Sequence, residues 1–255
     1  MSSQLYKRDM YLNKNHSFLS NSDIIEYDIS QAGYNISRRY GLLTKKQEKK
    51  LEKLSKEDKH YQIGWMQRHD PEYKKALKQA FIDIRKEFFE ANNIENEDIL
   101  SIKKDAIFLL RSCSKTTFDN VVFRDKHRYS TFINMNECEY YYNQYDVLDV
   151  KNIKDEIVAK HDDYMNSFIK LMCRHMESST EHTQLRYIRR FIDKYKRLEL
   201  PVGYYRQYDK KSYFKLLAED TFSLAYDSYW EDKKEDLDIS YNYYNIIIPI
   251  LNLLI

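Results

Sequence analysis

The chain has 255 residues, with 42 Lys and Arg against 40 Asp and Glu, 24 Tyr, only 4 Gly and only 3 Pro. Its glycines, Gly33, Gly41, Gly64 and Gly203, stand at least eight residues apart, which excludes a Walker A loop and a G-x-G-x-x-G turn, so any phosphate must be held by cations, metals or helix N-termini. A net charge of +2 conceals two basic segments and one acidic one: 15 Lys and Arg against 9 acids in residues 36–90, 10 against 3 in 186–215, and 2 against 8 in 219–238. This asymmetry can create a basic face on a nearly neutral protein.

Three widely spaced cysteines, Cys113, Cys138 and Cys173, include no C-x-x-C pair, which argues against a disulfide framework or a cysteine zinc site and for a reducing cytoplasm. The opening MSSQLYKRDMY has no apolar stretch of signal-peptide type. The one strongly apolar run, residues 246–255, is interrupted by Pro249 and Asn252. It is about half the length of a membrane span, so it is expected as a buried final segment and no membrane partner is expected. Abundant Tyr, Asn, Lys and Ile with scarce Gly, Pro and Ala follow AT-rich codons, as in a phage or a low-GC bacterium.

Taken in chain order, residues 1–22 are polar and are expected as a loose N-terminal arm. Residues 24–29 (IIEYDI) read as a short buried strand. A helix follows from Ala32 to Tyr40. Thr44 with Gln47 forms a capping box opening a Lys-rich helix to about Asp58. Asp70-Pro71 supplies an N-cap with Pro at the first helical position. Behind it, Tyr73, Leu77, Ala80, Phe81, Ile84 and Phe88 share one helix face, and Asn92-Asn93 end it. Residues 99–102 and 107–110 are apolar runs joined by Lys103-Lys104-Asp105-Ala106, a hairpin pattern. Further strands are expected at 120–123, 129–135 and 139–142. A helix over 154–176, with Ile157, His161, Tyr164, Phe168, Leu171 and Met172 near one face, and a second over 183–198 complete the readable part. The order predicts an α+β fold with a central antiparallel sheet, a helical insertion at 44–96 and a helical C-terminal region. The expected division is 1–22, 23–152 and 153–255.

Asp28 closes a buried strand and Asp105 sits in a tight turn between two others. Both positions are costly for a carboxylate unless something compensates it. The series 27–32 (YDISQA), 101–108 (SIKKDAIF) and Lys126-His127-Arg128-Tyr129 resembles the palm of nucleic-acid polymerases. Asp28-Ile29-Ser30-Gln31 is similar to the D-x-S-Q motif of family-A DNA polymerases, and Asp105-Ala106-Ile107-Phe108 to the end of the D-T-D-S motif of family B. Lys126, Arg128 and Tyr129 resemble the K-x-Y strand that meets the primer-template junction. Residues 148–153 resemble the segment leaving the palm for the thumb.

The resemblance implies a small DNA or RNA polymerase, or a primer-synthesis protein. It implies Mg²⁺ (or Mn²⁺) held by the carboxylates of Asp28 and Asp105 and the carbonyl of Ile29, since phosphoryl transfer to a 3′-hydroxyl uses two such ions about 4 Å apart. It implies nucleoside triphosphates near Ser30, Gln31 and Tyr34, with Arg68, Lys74, Lys75 and Lys78 as fingers-like cations. Primer and template would meet Lys103, Lys104, Lys126, Arg128 and Tyr129. They would also meet the basic helix bearing Arg186, Arg189, Arg190 and Lys194, interleaved with Tyr187, Phe191 and Tyr195. Lys103 stands where the first acid of D-T-D would be, and no K-x-x-x-N-x-x-Y-G fingers signature occurs. The alternative is therefore a catalytically inactive, polymerase-derived module that binds nucleic acid or protein, such as a phage accessory protein with partner subunits in the host cytoplasm. His69-Asp70 and His161-Asp162-Asp163 offer the rival chemistry of an HD-type metal phosphohydrolase, which the β section does not suit.

Overall fold

The computed structural model describes residues 3–135, 138–152, 163–178, 180–197 and 199. The expectations for the acidic segment at 219–238 and the apolar 246–255 lie outside them, as do Ile157 and His161. The fold is α+β with antiparallel sheets. By their contacts the residues form two compact units, one of residues 1–15 and 23–128, the other of 16–22 and 129–255.

A six-stranded sheet in the order β1-β4-β5-β3-β7-β6 organises the first unit. Its strands are β1 (Met10–Leu12), β3 (Ile24–Ile29), β4 (Ile99–Lys103), β5 (Ala106–Leu109), β6 (Thr117–Phe118) and β7 (Val121–Tyr129). Side chains alternate between the two faces of a strand. Ile25, Tyr27, Ile29, Ile107, Leu109, Val121 and Phe123 accordingly join one buried cluster with residues of the four helices that follow β3. Those helices are α1 (Ala32–Arg39), α2 (Lys45–Glu52), α3 (Lys56–His69) and α4 (Pro71–Ala91). At the centre of the cluster Phe88 of α4 stacks on Phe123 with ring centroids 4.1 Å apart.

The starts of α2 and α4 have a local cause. Thr44 Oγ1 accepts from the Gln47 N–H while Gln47 Oε1 accepts from the Thr44 N–H, a complete capping box. The Asp70 carboxylate accepts from the Tyr73 N–H at 2.9 Å, with Pro71 in the first turn. Asp70→Ala should therefore lower stability by about 1 kcal/mol, the usual value of an N-cap, as read from urea denaturation midpoints; an unchanged midpoint would contradict the cap's role.

Three local expectations are corrected. The Lys-rich helix does not run to Asp58. It ends at Glu52, and Ser55, whose hydroxyl accepts from the Asp58 N–H, caps a separate helix α3. Residues 3–22 are not a loose arm, because β1 pairs with β4 and β2 (Phe18–Leu19) pairs with β8 (Thr131–Met135). The strand expected at 120–123 extends to Tyr129 as β7.

The second unit carries a four-stranded sheet, β10-β9-β8-β2, with β9 at Cys138–Tyr142 and β10 at Leu148–Lys151. Every residue of β9 is buried, including the consecutive Tyr140, Tyr141 and Tyr142, so part of the tyrosine content is core. Two helices follow, α5 (Asp163–Ser178) and α6 (Glu181–Lys196). On α5 the buried face is Ile169, Met172, Cys173 and Met176, whereas Leu171, expected on the core side, is 37% exposed. All three cysteines are free, and burial pushes the Cys113 thiol up to about 11.

Candidate functional site

The sheet face opposite α1–α4 is built as two lateral rows. The register places Lys103 against Ala106 and Ala106 against Asp28, and Arg124 Nη2 lies 3.9 Å from the Asp28 carboxylate. One step along, Ser101 opposes Phe108 and Phe108 opposes Glu26, whose carboxylate receives Lys126 Nζ at 3.2 Å. Asp105 lies at the end of the first row, in the two-residue turn between β4 and β5. The turn's positive φ of 56° falls on Lys104. The Ile29 N–H donates to the Asp105 carbonyl at 3.4 Å, which ties the turn to the end of β3. The structure thus brings Asp28 and Asp105 together on neighbouring strands.

Electrostatics of this row is set by burial. The Asp28 carboxyl is held above its ordinary 3.8, first by desolvation; Lys126 opposes this, Asp105 and Glu26 reinforce it, and Arg124 opposes it. A carboxyl whose pKa is raised on folding binds protons more readily when folded. Its ionisation therefore costs stability as pH climbs from 3.8 through the raised value, and the cost persists above it. Asp28→Asn should accordingly raise the thermal midpoint at pH 7 and leave it nearly unchanged below pH 4. Melting curves of both proteins across that range check this, and a gap independent of pH would refute it.

Under the hairpin turn lies a residue that the sequence does not single out. Arg85 is 1% exposed although it carries a guanidinium. Its Nη2 donates to Asp9 Oδ1 at 2.7 Å, and Nη1 donates to the Arg8 carbonyl and, at 3.4 Å, to the Lys104 carbonyl. The Lys104 N–H in turn donates to the Asp9 carbonyl at 2.7 Å. Burial lowers the Arg85 pKa, while Asp9 and then Asp105 work to raise it. This cation holds the turn that presents Asp105.

On the helix side of the sheet, α1 and α3 enclose a cavity of about 450 Å³. Gln31, the left-handed N-cap of α1 (φ 45°), and Tyr34 line it from α1. Lys56, Glu57, Lys59, His60, Tyr61 and Ile63 line it from α3. Gln31 Oε1 and the Tyr34 hydroxyl are buried without a hydrogen-bond partner, and Lys59 Nζ lies 4.9 Å from the Tyr34 ring centroid. The helices meet closely because Gly33 has no side chain; a Cβ there would stand 2.8 Å from Ile63 Cγ2.

Several expected site residues lie elsewhere or do other work. Ile29 closes β3 with its side chain in the core. Ser30 donates its N–H to the Val122 carbonyl and accepts at its own carbonyl from Asn35. Gln31 and Tyr34 belong to the helix-side cavity, whereas Asp28 alternates to the opposite face. Arg68, Lys74, Lys75 and Lys78 are exposed on α3 and α4 and do not line that cavity; Lys56 and Lys59 supply its cations instead. Lys78 pairs with Asp9 at 3.6 Å. Arg128 is held by Asp125 and Asp23. Tyr129 is 2% exposed and donates its hydroxyl to Asp149. Arg186, Arg189 and Arg190 are exposed on α6 and Lys194 is half-buried, while Phe191 is core.

The family model described as Bacteriophage PBS1 gene 130 protein matches the chain over residues 1–255. The chain belongs to this family. Membership supports the phage association expected from codon usage. No curated protein and no solved structure matches the chain. Among the described residues of this family member, no helix is long and apolar enough to cross a membrane.

Proposed function

We propose that this phage-family protein is a palm-type nucleotidyltransferase, a small DNA or RNA polymerase or primer-synthesis protein that acts in the host cytoplasm. The observation that carries the reading is the register that sets Asp28 beside the Asp105 turn. Two carboxylates on adjacent strands form an oxygen donor set of the kind Mg²⁺ or Mn²⁺ takes, with substrate phosphates completing the coordination. A divalent ion bound there would stabilise the charge that develops as a 3′-hydroxyl displaces pyrophosphate. Asp28 and Asp105 hold the ion, Arg85 positions Asp105 through the turn, and Lys103 and Arg124 flank the pair as cations facing phosphate oxygens. Lys104 and Lys126 supply further positive charge toward a primer-template backbone, and the exposed arginines of α6 are, separately, a basic face of the second unit. Extension of a labelled primer on DNA and RNA templates with Mg²⁺ and nucleoside triphosphates tests the activity. No extension on either template, with or without added phage proteins, would sink it.

A second reading draws on the same row. Arg124 and Lys126 already face Asp28 and Glu26, and Lys103 occupies the position next to Ala106. Such internal balancing suits a catalytically inactive module that binds nucleic acid or a protein subunit without metal. Gel-shift binding of single-stranded and duplex nucleic acid in EDTA, together with failed extension, would favour it.

A further inference from the structure

We propose that the α1–α3 cavity is a mononucleotide site that works without a divalent metal and is separate from the Asp28–Asp105 row. The nucleobase edge meets Gln31 and Tyr34, and the phosphate meets Lys56 and Lys59. The inference does not rest on the nucleotidyltransferase reading, because Asp28 leaves the other face of β3.

The cavity's size, about 450 Å³, falls within the range of small-molecule sites. Buried polar groups are almost always hydrogen-bonded, so each exception calls for an explanation. Here two exceptions, Gln31 Oε1 and the Tyr34 hydroxyl, line one cavity, three positions apart on α1. Tyr34 is only 6% exposed, so bulk water does not freely serve its hydroxyl. An amide oxygen requires a donor, and a tyrosine hydroxyl can donate to an acceptor. A neighbouring donor and acceptor on one flat edge are what nucleobases present. Of the rest of the lining, Tyr61, Lys56 and Lys59 suit the rest of a nucleotide, with one carboxylate, Glu57, set against the two lysines. Tyr61, 67% exposed, offers an aromatic face at the rim, and bases stack on such faces at about 1–3 kcal/mol each. Lys56 and Lys59 bring two ammonium groups on one turn of α3, suited to a phosphate that no glycine nest in this chain can cradle.

The test is calorimetric titration of the full chain with AMP in EDTA at constant ionic strength. Wild type is expected to bind. Tyr34→Phe, which keeps the ring and the packing, is expected to weaken AMP about tenfold, the effect of one net hydrogen bond. Lys59→Met should weaken AMP but leave adenosine unaffected. Asp119→Asn, whose side chain is 77% exposed, should bind AMP as wild type does. The proposal is overturned by absent AMP binding in EDTA, by equal affinity of Tyr34→Phe and wild type, or by ribose 5-phosphate binding as tightly as AMP. Failed primer extension with intact AMP binding would remove the nucleotidyltransferase reading and leave this one standing.

Discussion

Asp28→Asn and Asp105→Asn are each expected to lower metal-dependent nucleotide incorporation at least a hundredfold. The expectation follows from geometry and donor chemistry together. The β3–β5 register puts Asp28 opposite Ala106, and the Ile29 N–H reaches the Asp105 carbonyl, so the proposed metal site draws on a strand end and a turn that are tied together through the backbone. A divalent ion acting on developing phosphate charge is worth several kcal/mol, and each 1.36 kcal/mol is a factor of ten in rate. An amide of the same shape keeps the hydrogen-bonding volume but removes the anionic ligand. Asp119→Asn is the matched control, since its side chain is 77% exposed and Asn accepts its positive φ of 50° as readily as Asp does. Single-turnover incorporation should stay within about twofold of wild type for this control. Equal losses in all three variants would mean that the acidic pair has no special role.

Arg85→Met should destabilise the protein by about 3 kcal/mol. Methionine fills much of the stem's volume, so the cost is electrostatic rather than a void. Two carbonyls, of Arg8 and Lys104, lose a buried donor. Asp9 loses its principal partner, but its side chain is 42% exposed and regains water, which keeps the cost at the lower end of that for a broken buried pair. Urea denaturation with an unchanged slope reads this directly; a loss below about 1 kcal/mol would show that Arg85 is held for packing alone. The variant should also bind metal more weakly than its residual folding accounts for, because Arg85 positions the turn and contributes no ligand. Arg85→Lys, which keeps the charge, should recover part of both losses.

The parts of this architecture that repeat with a regular period are readable from the chain. The run at 24–29, the hairpin around Asp105 and the Tyr73-to-Phe88 stripe of α4 all declare themselves through spacing, whereas the adjacency of Asp28 and Asp105 is implied only by the resemblance to a polymerase palm. Helix α3 does not, because among its described residues Ile63 alone is buried and a single buried position makes no stripe. Strands β1, β2 and β6 are two or three residues long, too short to show a period, and β1 and β2 exist through partners far along the chain; Tyr11 pairs with Ile102 and Phe18 with Ile133. The charged run Arg124 to Arg128 has no apolar alternation to mark it as a strand, and it continues β7, where Glu26 and Asp28 meet its cations. Arg85 reads as one more surface cation, since its partner Asp9 lies 76 positions away. The α1–α3 cavity is equally invisible locally, being made where Gly33 lets one helix approach another.

Isothermal titration of the full chain with MgCl₂, and with MnCl₂, tests the central claim most directly, because it asks about the metal without asking about catalysis. Saturable binding in wild type that Asp28→Asn and Asp105→Asn each abolish, while Asp119→Asn retains it, is the predicted result. Absent binding in wild type, or binding that survives both substitutions, would contradict it.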